Sequence, residues 1–400
     1  MELDLGPELT AFRQEMRDWI AENAPAGLAD LVDWNTPSIG GSNRDPLFEA
    51  MAHPLYQEWD RKLTDAKLTC AHWPENVGGR GWDAVRSAIF NEELHRARLP
   101  RNDRGMGEWL VGPSVIAHGS EEQKKKYLPP IISGEHKYCQ GFSEPNHGSD
   151  LGAVETRGVV DGDEIVITGQ KVWTSGAMRA NRIFILCRTD TEAPKHRGLS
   201  FVLCDFVDNN IEARPLKQMS GAAEFCEDFI DGARAPLDGV IGGLNNGWRV
   251  AMTTLGYERG GRASTQYLGY EREFWELVET ARKYGKDSDP LVRQKLAWAY
   301  SHVQIMRFQG LRVLSQAARG KQPGPEASAS KLFWSEYHKR LGELAVAIEG
   351  ADALVRPDGD GYATSPWQGI FLASRAGTIY SGTSEIQRNI IAERALGLPK

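Results

Sequence analysis

The sequence predicts an α+β protein made of three consecutive parts, which are helical, then β-rich, then helical. Apolar residues near the N-terminus recur at helical spacing. From Tyr138 to Ile230 the pattern changes to short β-branched and aromatic runs between turns, which is typical of six to eight strands. Two long proline-free stretches with helical apolar spacing follow, Leu291–Ala318 and Glu326–Leu354. The predicted domains cover residues 1–136, 137–240 and 241–400.

The composition is that of a globular protein without a basic surface. Four hundred residues exceed one ordinary core, and 47 basic against 54 acidic residues give a net charge of −7, which argues against nucleic acid as a partner. The five cysteines are widely spaced without a C-x-x-C, so neither a disulfide framework nor a zinc site is expected. No apolar run reaches the roughly 20 residues of a membrane helix or resembles a signal peptide. We therefore expect a cytoplasmic protein that does not insert into membranes.

The N-terminal part begins with an amphipathic helix whose apolar face runs from Leu9 to Ile20. Residues 26–55 are rich in turn-forming residues and predict a long irregular connection. A second turn-rich segment, Trp73–Gly81, precedes the next helix. The helices after it are predicted over Ala84–Arg98, over Gly107–His118 and after a capping box of Ser120 and Gln123.

The middle part contains a hairpin signal, because Asp161-Gly162-Asp163 separates the β-rich runs Thr156–Val160 and Glu164–Thr168. Further strands are predicted over Arg182–Arg188, Leu199–Phe206, Ile211–Leu216 and Phe225–Asp231. Asn245–Trp248 then opens the last helical part, which contains a predicted loop at Asp358–Gly361 and a last helix marked by Ile386, Ile390 and Ile391. The alternative from pattern alone is two unrelated helical domains that flank a β-sandwich.

Two segments carry the chemical signal. Phe142–Asp150 combines a proline, a glycine and short polar side chains, which favour a loop with exposed backbone N–H groups and hydroxyls. Trp173, Thr174 and Ser175 then offer an aromatic plane and two hydroxyls. Such a set would suit a flat heteroaromatic cofactor with a phosphate tail, although a surface loop and an ordinary core tryptophan would read the same way.

These segments resemble two signatures of the acyl-CoA dehydrogenase family, (S/T)-E-P-x-x-G-(S/T)-D at Ser143–Asp150 and G-Q-K-x-W-(I/T)-(T/S) at Gly169–Ser175. A third signature of that family matches Tyr380–Ile391. The three motifs stand in the family order, and the resemblance extends over essentially the whole chain. It implies a C-terminal four-helix bundle and a flavin between the middle and last domains.

The family's reaction removes a proton from Cα of an acyl-CoA thioester and a hydride from Cβ, which passes to N5 of FAD. The resemblance implies that the signature region lies along the flavin, while His147 is either a loop histidine or a contact to the substrate tail. The implied FAD contacts are Gln140, Phe142, Ser143, Gly148, Ser149, Trp173, Thr174, Ser175, Thr383 and Glu385. The implied acyl-CoA contacts are Ser149, Tyr257, Arg259, Tyr380 and Gly382.

The catalytic base is where the sequence departs from much of the family. Medium- and short-chain members read Y-E-G-T in the third signature and use its glutamate, whereas Ser381 stands here and has no accessible conjugate base near neutral pH. Glu258 resembles the alternative base of isovaleryl-type, long-chain-type and actinobacterial enzymes. Burial beside an acyl chain would raise its pKa toward the working range. The competing interpretations are a surface pair of Glu258 with Arg259, although adjacent residues do not face each other on a helix, and Glu385 as the acid.

Two cofactor motifs of related chains are only partly present. R-x-x-F-G is echoed by Arg282–Gly285 and Q-x-x-G-G-x-G by Ala347–Ala351. We therefore expect the phosphate and adenine end of FAD to be held differently, by Arg282 or Arg293, or more weakly.

Three functions remain open at this point. The first is an acyl-CoA dehydrogenase of fatty acid or lipid degradation, with Glu258 as base and electron-transfer flavoprotein as acceptor, in a homotetramer or homodimer. The second is an acyl-CoA oxidase or a monooxygenase-like relative. The third is a catalytically silent subunit of a hetero-oligomer, which the loss of the usual base at Ser381 motivates. The sequence does not identify the acyl group.

Overall fold

The computed structural model describes residues 6–31, 51–102, 104–260, 266–317, 326–355 and 364–399. Its element order confirms the predicted α+β architecture of helices, strands and helices. The α-helices of these residues are α1 (Gly6–Asn23), α2 (Pro54–Asp65), α3 (Ala84–Arg96), α4 (Gly112–His118), α5 (Glu121–Ser133), α6 (Gly247–Gly260), α7 (Tyr267–Lys283), α8 (Pro290–Ala317), α9 (Glu326–Glu349), α10 (Pro366–Gly377) and α11 (Ser384–Ile390). The strands are β1 (Tyr138–Gly141), β2 (Arg157–Asp161), β3 (Glu164–Ser175), β4 (Arg182–Arg188), β5 (Leu199–Asp205), β6 (Ile211–Leu216), β7 (Phe225–Pro236) and β8 (Val240–Ile241).

Local signals fix several helix starts. The predicted capping box is confirmed, because the Gln123 N–H donates to Ser120 Oγ at 3.2 Å and the Ser120 N–H donates to Gln123 Oε1 at 2.8 Å. The predicted irregular connection over residues 26–55 is wrong at its end, where Pro54 opens α2 with His53 as its cap. Residues 32–50 of that connection lie outside the described ranges.

The predicted helix over Gly107–His118 is not uniform. Gly107–Val111 form a π-helical turn, and α4 begins only at Gly112. A Cβ atom on Gly112 would lie 1.9 Å from the ring of Trp73, so the chain passes this ring without room for a side chain. Such π turns are rare and occur often at functional sites.

The strands form one mixed sheet in the order β6-β7-β3-β2-β4-β5-β8, with β1 parallel to β4. The predicted hairpin is confirmed, since Asp161 pairs with Glu164 across a two-residue turn. Strand β7 runs to Pro236 and not only to the predicted Asp231, because it stays paired with β3 along its length.

Helices α7 to α10 share one hydrophobic core and form the expected four-helix bundle. Phe274, Leu277, Tyr337, Leu341 and Trp367 are buried in this core. The predicted loop at Asp358–Gly361 lies outside the described residues. None of the described helices is long and apolar enough to cross a bilayer.

A second hydrophobic core, which we call the junction core, joins all three parts of the chain. It contains Trp73 and Val111 from the N-terminal part, Phe142 and Phe184 from the β-domain, and Val250 from α6. Because apolar burial is the main stabilising term in folding, this shared core fixes α6 against both other parts.

Candidate functional site

The segment Phe142–Asp150, which we call the signature loop, leaves β1 and turns back at once. The N–H groups and carbonyls of Glu144 and His147 bond to each other, each at 3.0 Å, and close a tight turn. The ring of Phe142 is buried in the junction core, so only its backbone is available to a ligand. Gly148 and Ser149 are exposed beyond the turn.

A buried ion pair holds this loop to β3. Lys171 Nζ lies 2.8 Å from Glu144 Oε1 and also donates to the carbonyls of Phe142 and Leu186, at 3.0 and 2.8 Å. Both charged side chains are buried. The backbone N–H of Glu155 donates to the same carboxylate at 2.7 Å. Burial alone would raise the pKa of Glu144, but these partners outweigh it and lower that pKa below its usual value.

Strand β3 ends in a bulge that turns Trp173 outward. The pairing with β7 shifts between Val172 and Thr174, and Trp173 takes a left-handed φ of 64°, which is rare for a bulky residue. Its side chain is 59 % exposed and makes a T-shaped ring contact with Phe225, at 6.1 Å between ring centres. A large aromatic plane is thus held open to solvent at a strained position, and such strain clusters at ligand sites.

Thr174 and Asp228 lie on the inner side of the same bulge. Both side chains are fully buried, so the hydroxyl of Thr174 points away from the open side. Burial raises the pKa of Asp228 to about 6, and the Thr174 hydroxyl opposes part of that rise. The sequence reasoning missed Asp228. Its signal is the alternation along β7, which places Asp228 on the same inward face as Cys226 and Ile230.

The segment between β4 and β5 contacts both the signature loop and α6. Lys195 Nζ lies 2.6 Å from Asp150 Oδ2, and the ring of His196 stacks on Trp248 of α6 at 4.4 Å. His147 Nε2 lies 3.6 Å from a carboxylate oxygen of Glu155. The segment between β4 and β5 therefore links the signature loop to the start of α6.

Helix α6 carries the predicted base. Thr254 and Ser114 are buried and share a hydrogen bond of 2.8 Å, and the hydroxyl of Thr253 bonds to His118 Nε2 at 2.8 Å. Glu258 follows Thr254 by four residues, about one helical turn. The side chains of Glu258 and Arg259 lie outside the described part of the structure.

The third signature forms a loop before α11. Ser381 and Gly382 both have left-handed φ values, of 51° and 85°, and Lys331 Nζ donates to the Gly382 carbonyl at 2.7 Å. The hydroxyl of Thr383 accepts the Ile386 N–H at 3.2 Å and so caps the helix.

Several predicted contacts stay apart from the signature loop. Glu385 is exposed and pairs with Arg388 at 3.3 Å, while Tyr257 and Tyr380 are exposed at other points of the surface. Within the described ranges, neither Thr383 nor Glu385 has a hydrogen bond or ion pair to this loop. The structure thus brings together Phe142, Ser143, Trp173 and their supports, since the Val172 N–H donates to the Ser143 carbonyl at 3.0 Å.

The expected holders of the adenylate end have other partners. Arg282 forms an ion pair with Glu279 on the same helix turn. Arg293 donates to the Asp287 carbonyl at 3.2 Å. The structure therefore does not assign either arginine to the phosphates of FAD.

The residues at the bulge fit the ring end of a flavin. Trp173 offers an open aromatic face, and a Cβ atom on Gly148 would meet no atom within 4 Å, so the loop leaves space for a ligand. Ser149 is exposed and Ser175 is partly exposed, so both hydroxyls are accessible. Stacking surface, space and hydroxyl groups are what an isoalloxazine ring requires.

Comparison with known proteins agrees with this architecture. Profiles described as the N-terminal, middle and C-terminal domains of acyl-CoA dehydrogenase match residues 42–135, 139–231 and 245–396. The chain is 41 % identical over 396 residues to the acyl-CoA dehydrogenase IpdE1 of Mycobacterium tuberculosis, with 98 % of each chain covered. The chain belongs to the acyl-CoA dehydrogenase family. It is accordingly an oxidoreductase that acts on acyl-CoA.

Two solved structures of this family have similar folds. A structure titled Tcur3481-Tcur3483 steroid ACAD has a TM-score of 0.80 and 30 % identity, with both chains covered completely. The ChsE4-ChsE5 complex from Mycobacterium tuberculosis has a TM-score of 0.76 and 25 % identity, again with complete coverage of both. Acyl-CoA dehydrogenases generally depend on FAD, which agrees with the fit of the bulge to a flavin ring.

Proposed function

We propose that this acyl-CoA dehydrogenase oxidises an acyl-CoA thioester to the 2,3-enoyl-CoA, with Glu258 as the base that removes the Cα proton. FAD, when bound, supplies the hydride acceptor at N5. The observation that carries the proposal is the anchoring of α6. The Ser114–Thr254 hydrogen bond holds α6 against α4 of the N-terminal part, one turn before position 258, and the junction core packs α6 against the domain that contains the signature loop.

The other residues of the site bind and orient. Trp173 provides the face for the ring, Ser175 and the backbone at Phe142 and Ser143 provide polar contacts, and Ser149 reaches toward the thioester. Hydrogen-bond donors at the thioester carbonyl would stabilise the charge that develops when Glu258 takes the proton. A carboxylate positioned in this way contributes on the order of 10²- to 10⁴-fold to the rate.

The third signature offers no favourable candidate for the base. Ser381 has no accessible conjugate base near neutral pH, and the neighbouring carbonyl of Gly382 already accepts from Lys331. Glu385 is exposed and pairs with Arg388, which makes it a poor candidate for a base with a raised pKa. Glu258, which lies on α6 between the second and third motifs, is the remaining candidate.

The proposal includes the setting of the enzyme. We expect it in the cytoplasm, in lipid degradation, with electron-transfer flavoprotein as electron acceptor and with a homotetramer or homodimer as assembly. Tyr257, Arg259, Tyr380 and Gly382 complete the proposed acyl-CoA contacts, and Thr383 and Glu385 the FAD contacts.

A second candidate is a catalytically silent subunit of a hetero-oligomer. Two observations favour it: Ser381 replaces the usual base, and two structural relatives carry titles that pair two different chains. Such a subunit would co-purify with a second chain and hold less than one flavin per chain.

The test is anaerobic reduction of the FAD-loaded protein by a panel of linear, branched and ring-bearing acyl-CoAs. The proposal expects loss of oxidised-flavin absorbance with at least one ester, slow reoxidation in air and fast reoxidation by electron-transfer flavoprotein. Fast reoxidation by oxygen would identify an oxidase instead. Failure of every ester to reduce a fully loaded flavin would contradict the proposal.

A further inference from the structure

A polar cluster without an assigned role lies in the N-terminal domain on the π-helical turn. We call it the Arg101 cluster; it consists of His72, Arg101, Glu108 and Trp109. The carboxylate of Glu108 is fully buried, forms an ion pair with Arg101 and accepts the backbone N–H of Arg104 at 2.9 Å. His72 Nδ1 lies 3.6 Å from the same carboxylate.

Trp109 organises the two basic side chains of the cluster. The guanidinium carbon of Arg101 lies 4.5 Å from the centre of the Trp109 ring, which is a cation–π contact. The imidazole of His72 stacks on the same indole at 4.7 Å with only 7° between the planes. Burial and the charge of Arg101 lower the pKa of His72 to about 3, so His72 is neutral in the working range.

The cluster carries no net charge but retains hydrogen-bond donors. Glu108 neutralises Arg101, and His72 is uncharged. A guanidinium has five N–H donors, and no acceptor besides Glu108 bonds to that of Arg101 among the described residues. Its side chain is 24 % exposed, so the remaining donors can be reached.

The cluster stands where the N-terminal domain meets the proposed site. Trp109 packs against the junction core, as do Leu151 beside the signature loop and Leu255 of α6. Leu255 precedes Glu258 by three residues, which is just under one helical turn. The π turn that bears Glu108 and Trp109 contacts α6 directly.

We propose that the Arg101 cluster recognises a neutral oxygen acceptor, such as a ring ketone, on the acyl group of the substrate. The inference rests on the proposed function and names its substrate class. A carboxylate is disfavoured because Glu108 already cancels the charge of Arg101 and would repel a second anion. A plain hydrocarbon is disfavoured because it would leave the desolvated donors of Arg101 without partners.

The structural alternative is that the ion pair only ties the π turn to the segment before it. Buried ion pairs often serve packing, and removal of one partner then harms every substrate equally. Substrate recognition differs, because it changes the ratio between substrates with and without the oxygen.

The test compares three esters on the FAD-loaded enzyme: cyclohexanepropanoyl-CoA, its 4-oxo derivative and its 4-carboxy derivative. We expect kcat/KM to be highest for the 4-oxo ester. Arg101→Met keeps the aliphatic stem of the side chain, and His72→Phe keeps the ring that stacks on Trp109. Arg101→Met should lower the ratio of kcat/KM between the 4-oxo and the plain ester by about tenfold, because a hydrogen bond from a charged donor is lost. Arg61→Met, at an exposed position of α2, is the control and should leave that ratio unchanged.

Affinity provides an independent readout. Dissociation constants of the three esters for FAD-loaded Glu258→Gln, with and without Arg101→Met, should show the same order. Equal loss for all three esters would assign the cluster to packing, and a wild-type preference for the plain or carboxy ester would overturn the inference. Reduction of the flavin by the plain ester alone would leave the proposed function standing while this inference falls. If the 4-oxo ester binds preferentially but no ester reduces the flavin, this inference stands and the proposed function falls.

Discussion

The Nζ atom of Lys171 lies 2.8 Å from Glu144 Oε1 with neither side chain open to solvent, and this pair joins the two sequence signatures of the β-domain. Glu144 belongs to the signature loop and Lys171 to β3, the strand that carries Trp173. The ion pair therefore couples the loop that would face a flavin to the bulge that exposes the aromatic plane. Its role is to position binding groups and not to react.

Removal of one partner of this pair should be costly. We expect Lys171→Met to lower the free energy of unfolding by about 3–5 kcal/mol, because it leaves the Glu144 carboxylate buried beside backbone donors alone. Urea unfolding followed by circular dichroism measures this change. Lys126→Met, which breaks the exposed pair with Asp238, is the matched control and should cost less than about 1 kcal/mol.

The double variant Lys171→Met with Glu144→Gln separates pairing from burial. It should be more stable than the sum of the single variants predicts, since the two residues are in contact. Strict additivity would contradict the coupling.

Asp228→Asn should stabilise the protein near neutral pH. The carboxyl of Asp228 has a pKa raised from 3.8 to about 6 by burial, so its protonated form favours the folded state. This contribution to the free energy of unfolding is fully present below pH 3.8 and is lost as the pH rises through about 6. At pH 7 the wild type is therefore less stable by about 2–3 kcal/mol than it would be with Asp228 neutral. Asparagine cannot ionise, so the variant does not lose this stability as the pH rises.

The difference in Tm between Asp228→Asn and wild type, measured from pH 4 to pH 7.5, checks this prediction. It should grow with pH and level off above about pH 7. The exposed Asp231→Asn serves as control and should give no such trend. A difference that is constant over the whole range would show that Asp228 does not titrate in this window.

Gly148→Ala should separate the needs of the fold from those of the cofactor. No atom lies within 4 Å of the added Cβ, so the Tm of the protein without FAD should stay within about 1 °C, as expected for a surface change. Because Gly148 is a proposed FAD contact, titration of the same protein with FAD should give a higher Kd. An unchanged Kd would remove Gly148 from the proposed contacts.

Gly382→Ala provides the contrasting case. Its φ is 85° and the new Cβ would lie 2.5 Å from Gln387 Nε2, so the Tm without FAD should fall.

The sequence predicts those features that depend on local chemistry. The two-residue turn after Asp161 and the cap at Ser120 involve neighbours in the chain, so their geometry follows from residue type. The three-part architecture follows from the change of hydrophobic period at Tyr138.

Features that need distant partners could not be predicted. Glu144 and Lys171 stand inside recognised motifs, yet their pairing depends on how the loop folds back on β3. The π turn at Gly107–Val111 has helical residues and arises from tertiary packing beside Trp73. The exposure of Trp173 depends on a bulge, which shifts the register of two strands that are distant in the sequence.

The assignment of the base stays a prediction, and one measurement tests it most directly. This is the first-order rate of flavin reduction by a competent acyl-CoA in anaerobic stopped flow, compared between wild type, Glu258→Gln and the exposed control Glu279→Gln. We predict that Glu258→Gln lowers this rate by at least about 10²-fold with FAD still bound, while Glu279→Gln stays within about twofold. A Glu258→Gln enzyme that reduces its flavin at the wild-type rate would contradict the account.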